Sequence, residues 1–355
     1  MKKMLTLAVA LLLVFLCACG EAGTSSSTKT ENVETQIAED NTSLTEKRES
    51  EEPETPEEPE TPEEVSEEKP EKTEEPETGK TATVPAGKYV GGRDIPVGQY
   101  ICTRSEGKTG SGIVWLSAPD DNLEKDYPSL IYEFVSKEDE VSFFISLQEG
   151  GTLCLPFECK LTSVNISQIN IDESTPASAG TYIGGLDLPA GQYLLSYGGE
   201  HTGSGIIWLS SPTDNLSSEY PSKIYEFIDD GEDGKWFISL EDGGKLYLPF
   251  PCDTLTRIAP YSADEGEYEL SAGWYAVGVD IPAGKYNLAC KTNNNNAGIV
   301  WVSDPEDNLD EDYPSVLYEF IGRDSEKTFY VSVEEGAIIY LPCDAVASFG
   351  GITFS

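Results

Sequence analysis

The chain has a single histidine, His201, and only 23 Lys plus Arg against 64 Asp plus Glu in 355 residues. Each shortage excludes something. A nucleic-acid binder gains affinity by neutralising phosphates with Lys and Arg, so a formal charge of −41 argues against nucleic acid as a partner. Anionic lipid head groups would repel the chain for the same reason. One histidine, in the loop-like run His201-Thr202-Gly203-Ser204, supplies no recurring base for a Ser or Cys nucleophile. The cysteines after Cys19 lack paired short spacing and no histidine cluster exists, so zinc has no ligand set. No cofactor is expected, and no enzymatic machinery recurs.

Long apolar runs are scarce too. The one candidate, residues 5–16, follows Lys2 and Lys3, is broken only by Thr6, and is too short to span a bilayer comfortably; it reads as a signal-peptide core. It runs into Leu16-Cys17-Ala18-Cys19, which resembles the lipobox of bacterial lipoproteins, where a small residue precedes the Cys that receives diacylglycerol and becomes the new N-terminus. The resemblance implies a signal peptide over 1–19 and lipidation of Cys19, with Cys17 leaving with the signal. An ordinary secretory signal cleaved near Ala18, or a short anchor, is the alternative. Acyl chains such as palmitate would then be the only membrane attachment, placing the protein at the cell membrane on its extracellular face.

Residues 20–83 have almost no apolar side chains and include Glu51-Glu52-Pro53-Glu54-Thr55-Pro56-Glu57-Glu58-Pro59. Such a composition cannot offset chain entropy, so a disordered acidic tether is expected. At roughly 3.1 Å per residue it could reach on the order of 190 Å. A Pro-rich docking motif is the alternative to a plain spacer. Charge is uneven: about +2 precedes Cys19, about −15 lies in 20–80 and about −28 in the rest.

What the remainder has is a repeat of 93 residues. Asp94, Asp187 and Asp280 keep that spacing, as do Trp115, Trp208 and Trp301, then Asn122, Asn215 and Asn308, then Pro156, Pro249 and Pro342. Three copies result, over 84–176, 177–269 and 270–355. Within copy one, Gly87-Lys88-Tyr89 and Gly98-Gln99-Tyr100 flank Asp94-Ile95-Pro96-Val97-Gly98 and read as a hairpin closed by a Pro/Gly turn. Runs at 113–117, 130–135, 141–147 and 152–157 are rich in β-branched and aromatic residues. Six or seven strands per copy predict an all-β chain of three tandem β-sandwich or jelly-roll-like domains, arranged as beads on a string. The phrase Val277-Gly278-Val279-Asp280-Ile281-Pro282-Ala283-Gly284-Lys285-Tyr286 resembles a repeat of surface proteins and lipoproteins of Gram-positive bacteria. The resemblance implies location and fold and brings no activity with it.

The shared acids have structural and chemical readings. Asp94 suits an Asx-type bond, Asp121 suits a cap of one helical turn before Tyr127-Pro128, and Glu133 shares a strand face with Ile131 and Val135. Paired carboxylates could also hydrolyse glycosides, and the turns carrying Asp121, Asp126, Asp214, Glu219, Asp307 and Asp312 could offer oxygen ligands to Ca²⁺. The EF-hand ligand order is absent, and the structural roles are preferred. Aromatic residues are the leading binding candidates: Trp115, Trp208 and Trp301, with Tyr127, Tyr220 and Tyr313, and Tyr132, which also recurs in every copy. Alternation with Val114 and Leu116 favours a core position for the Trp; the Tyr, in loops before Pro, fit core and recognition equally. Cys102 with Cys159 and Cys290 with Cys343, taken as analogous positions, are candidate disulfides of an exported protein, while Cys252 has no partner in its copy. The expected role is display of three β domains for binding or adhesion, to a cell-wall glycan or an extracellular protein; a ligand-free envelope spacer and a carboxylate-dependent hydrolase are the alternatives.

Overall fold

The computed structural model describes residues 77–350 apart from 168, 199–203, 217–220, 222–223, 229–232, 263–265, 292–296, 310–312 and 324, with backbone only at 224–228 and Asp233. Cys19, the 1–19 signal, most of the tether, His201, Glu219, Tyr220 and Asp312 lie outside the described residues. Within them the chain is all β and contains no helix. Copy one contributes β1 (Thr81–Val84), β2 (Gly87–Val90), β3 (Gly98–Arg104), β4 (Gly112–Ser117), β5 (Ile131–Val135), β6 (Ser142–Leu147), β7 (Thr152–Leu155) and β8 (Cys159–Val164). Copy two repeats them as β9 (Ser174–Ala177), β10 (Ala179–Ile183), β11 (Gly191–Gly198), β12 (Gly205–Ser210), β13 (Ile224–Ile228), β14 (Asp233–Leu240), β15 (Lys245–Leu248) and β16 (Cys252–Ile258). Copy three supplies β17 (Glu267–Leu270), β18 (Ala272–Ala276), β19 (Gly284–Lys291), β20 (Gly298–Val302), β21 (Leu317–Ile321), β22 (Glu326–Val333), β23 (Ile338–Leu341) and β24 (Ala345–Phe349).

Each copy is a sandwich of two four-stranded layers. In copy one, β1-β8-β3-β6 faces β2-β7-β4-β5, and Cys102, Ile145 and Leu161 from the first layer share a core with Val114, Ile131 and Leu153 from the second. The period-2 burial of β8, alternating buried and half-buried from Cys159 to Val164, is that of a strand with one face on a core.

Two expectations are corrected here. First, β2 and β3 do not form a hairpin: β2 pairs with β7, and β3 pairs with β6 and β8 in the other layer. The Asp94 loop is a crossover between layers, held by the Val90 N–H donating to Asp94 Oδ2 at 2.8 Å; Ile183 on Asp187 and Ala276 on Asp280 repeat it at 2.8 and 2.7 Å. Local turn chemistry closes the loop but does not choose the strand partner. The Tyr that follows locks it, since Tyr100 Oη donates to the Pro96 carbonyl at 2.7 Å and Tyr193 to Pro189 at 2.5 Å. Second, the copies are not separate beads. β6 pairs in parallel with β10, and β14 with β18, so the β1-containing layer of copy one continues into the β10-containing layer of copy two as one eight-stranded sheet, and copy two continues likewise into copy three. The first strand of each copy, β1, β9 or β17, ends at the expected boundary rather than after it, and pairs with the last strand of its own copy.

The junctions are built twice on one plan. Phe144 stacks on Tyr182 at 4.2 Å and 11°, and Phe237 on Tyr275 at 4.1 Å and 16°. Gly180 and Gly273, at φ +136° and +146°, let the backbones approach so closely that a Cβ would lie 2.5 Å and 2.6 Å from the Phe144 and Phe237 carbonyl oxygens. Buried Asp187 then accepts, through Oδ1, from Gln99 Nε2 at 3.0 Å and Ser146 Oγ at 2.5 Å; Asp280 accepts from Gln192 at 2.9 Å and Ser239 at 2.6 Å. Burial pushes the Asp187 carboxyl up, and these hydrogen bonds offset part of that shift.

Candidate functional site

The β5 sequence Ile131-Tyr132-Glu133-Phe134-Val135 buries Ile131 and Val135 and turns Tyr132 and Phe134 outward. Register then sets an outward row: Tyr132 lies opposite Trp115, Trp115 opposite Cys154 and Cys154 opposite Lys88, whose ammonium stands 5.3 Å above the Trp115 ring. In copy three the same row is Tyr318, Trp301, Tyr340 and Trp274, with neighbouring rings 4.9 to 6.0 Å apart. In copy two, Trp208 stacks on Tyr247 at 5.1 Å. The three Trp are therefore half-buried on the face opposite the core, which corrects the core expectation: Val114 and Leu116 face inward, and alternation puts Trp115 on the other side.

The loop Tyr complete the row. Tyr127 packs edge-on against Tyr132 at 5.0 Å, and Tyr313 against Tyr318 at 5.2 Å. Tyr127 is 66% exposed and Tyr313 62%, so neither is core. Phe134 at 68% and Phe320 at 53% extend the exposed rings. Sequence reasoning found Tyr127, Tyr132 and their copy-three counterparts Tyr313 and Tyr318, with the Trp, but missed Phe134 and Phe320. The signal was present, because placing Glu133 with Ile131 and Val135 puts Tyr132 and Phe134 on the other face.

The acids hold this surface in place. Asp121 Oδ2 accepts from the Ala118 N–H at 2.9 Å and the Ser129 N–H at 2.7 Å, clasping both ends of the loop that carries Tyr127. The single turn expected there is present, closed by the Asp126 N–H donating to the Asn122 carbonyl at 2.9 Å, but Asp121 ties the loop ends together instead of capping it. Asp307 Oδ2 does the same with Asp304 and Ser315 N–H at 2.9 and 2.8 Å, and those bonds hold its carboxyl below the usual range. Asp214 accepts from Ser211 N–H at 3.0 Å. Among the described residues no three acidic, His or Cys side chains converge as a cation site; Asp126 makes no part of the clasp. Glu133 reaches the next copy, accepting from Tyr247 Oη, and burial pushes its carboxyl up.

All six described cysteines are free thiols. Cys102 and Cys159 nevertheless touch, and the Cys102 thiol is held well above its usual range by its hydrogen bond to Cys159 and by burial. Cys290 and Cys343 touch in the same way. The two pairs are not analogous positions, which corrects the alignment. Cys290 and Cys343 stand where copy one sets Arg104 over the Phe157 ring at 4.2 Å and copy two sets Tyr197 edge-on to Phe250 at 5.2 Å. Each copy thus closes that end of its sandwich with a different side-chain pair.

No protein-family model matches the chain, and no curated protein does.

Proposed function

We propose that the protein is a lipid-anchored extracellular binding or adhesion protein whose Tyr127/Tyr132 and Tyr313/Tyr318 clusters stack against the rings of a glycan. The observation that carries this reading is the pair of exposed edge-on Tyr contacts, at equivalent places in copies one and three, each on a loop clasped by a carboxylate. Rings held in this way present apolar area with a polar tip at little entropic cost, which suits the C–H faces of sugars. Weak sites repeated along one chain gain avidity when a ligand engages more than one. The shared carboxylates Asp121, Asp187, Asp280 and Asp307 accept backbone or junction hydrogen bonds, which favours binding over hydrolysis. An envelope spacer is the second reading, favoured by the sheets that run unbroken between copies.

Replacing Tyr127 and Tyr313 together with Ala should abolish retention on peptidoglycan and glycan arrays while moving the melting temperature by no more than a degree or two, because both rings are largely exposed. Unchanged retention, or no retention by the parent chain, would leave the spacer reading. The anchor is tested separately. Cys19→Ala should leave the protein unprocessed or release it into the medium, and a cleaved mutant still held by membranes would overturn the lipidation proposal.

A further inference from the structure

We infer that the two ends of the repeat array are complementary and that a second copy of this chain docks head to tail on the first. Inside the chain the same junction forms twice, each time from a donor edge and a receiving edge. At the two ends of the array each edge is left without a strand partner among the described residues. β2 is the outer strand of β2-β7-β4-β5, and β22 is the outer strand of β17-β24-β19-β22. These are the counterparts of β10 and β18 on one side and of β6 and β14 on the other.

The receiving side of copy one keeps the junction residues. Ala86-Gly87-x-Tyr89 repeats Ala179-Gly180-x-Tyr182 and Ala272-Gly273-x-Tyr275, and Asp94 stands where Asp187 and Asp280 stand. Gly180 and Gly273 are demanded by the preceding Phe carbonyl, yet among the described residues Gly87 has no such close backbone neighbour: the atoms nearest to a Cβ there belong to the side chain of its own strand's Tyr89, at 3.0 to 3.3 Å. The donor side of copy three also keeps its parts. Tyr330, 44% exposed, holds the position of Phe144 and Phe237, Ser332 that of Ser146 and Ser239, and Lys285 that of Gln99 and Gln192. Docking would set Tyr330 on Tyr89 and bring Lys285 and Ser332 to Asp94, a cation meeting the carboxylate where the inner junctions use an amide.

In the free chain Asp94 is occupied. Arg93 donates to it at 3.0 and 2.7 Å from a side chain 70% exposed, where copies two and three carry Leu186 and Val279. An exposed ion pair is readily displaced, so Arg93 acts as a guard that keeps the contact reversible. Lys88 and Lys327 on the free edges serve the same end. Because the two surfaces differ, the contact is heterologous and does not close at a dimer.

This inference does not rest on glycan binding. Sedimentation velocity of the purified full chain in detergent, across a hundredfold concentration range, should show mass rising through dimer to longer species. Gly87→Val disables the receiving side and Tyr330→Asp the donor side; each alone should sediment as the monomer-detergent species, with melting curves like the parent's. Mixing the two variants should restore one dimer and nothing larger, since one live receiving side meets one live donor side. A parent monomeric throughout would overturn the inference, as would association unchanged by both variants or a mixture that stays monomeric while the parent associates.

Discussion

Gly180→Val is expected to destabilise the protein by about 2 to 6 kcal/mol, summing roughly 1 to 3 for forcing a group into a packed site and a similar cost for holding a β-branched residue at this φ. The new Cβ would lie 2.5 Å from the Phe144 carbonyl oxygen, and φ is +136°. Backbone cannot yield as a flexible side chain can, so the β6·β10 pairing should open. A fall in melting temperature on the order of 10 °C should follow. Gly87→Val is the internal control: in the same motif the nearest atoms belong to the Tyr89 side chain, which can shift where backbone cannot, so the change should cost less than about 1 kcal/mol. Equal losses at the two sites would show that these glycines serve turn geometry and not the junction.

The contrast between Gly87 and Gly180 also marks what the sequence could reveal. The 93-residue phase exposed three copies because side chains that build each core recur at fixed spacing, and β4 to β7 were legible as short apolar runs. The junctions were not. Each parallel pairing has two registered residue pairs, Ala179 with Phe143 and Gly180 with Phe144 in the first, so it leaves no apolar alternation of its own. β1 was missed for a related reason, since Thr81-Ala82-Thr83-Val84 is an exposed edge with no buried face to pattern it; β17 does bury Tyr268 and Leu270, but four residues between turns give too short an alternation to stand out. Asp94 was rightly read as a loop-closing residue, but its counterparts' second oxygen, serving Gln99 and Ser146 at Asp187, answers to residues about 90 and 40 positions away. The aromatic site was partly legible: loop Tyr before Pro and the recurring Tyr132 announce themselves, while Trp115 and Phe134, beside inward-facing neighbours on their strands, look like core until the inward set is known.

Phe237→Ala is expected to cost about 3 to 5 kcal/mol, the range for emptying a buried aromatic site, with up to about 1.5 more for the lost stack on Tyr275. Phe237 is wholly buried, and it belongs to the core of copy three although its strand, β14, belongs to copy two. Removing it therefore weakens the contact between two units more than either unit's own sandwich. In a linear array whose stability is a sum of unit and neighbour contributions, that separates transitions that were joined. Scanning calorimetry of the parent should show one cooperative transition for the three copies, and the variant should show copy three melting earlier as a distinct step. Phe144→Ala should instead separate copy one, since Phe144 belongs in the same way to the core of copy two. By the same reasoning the fragment 177–269, which lacks Phe144 and most of β9, should melt well below copy two within the chain. If Phe237→Ala lowers one transition as a whole without dividing it, the copies share a single folding unit and the junction is not its weakest link.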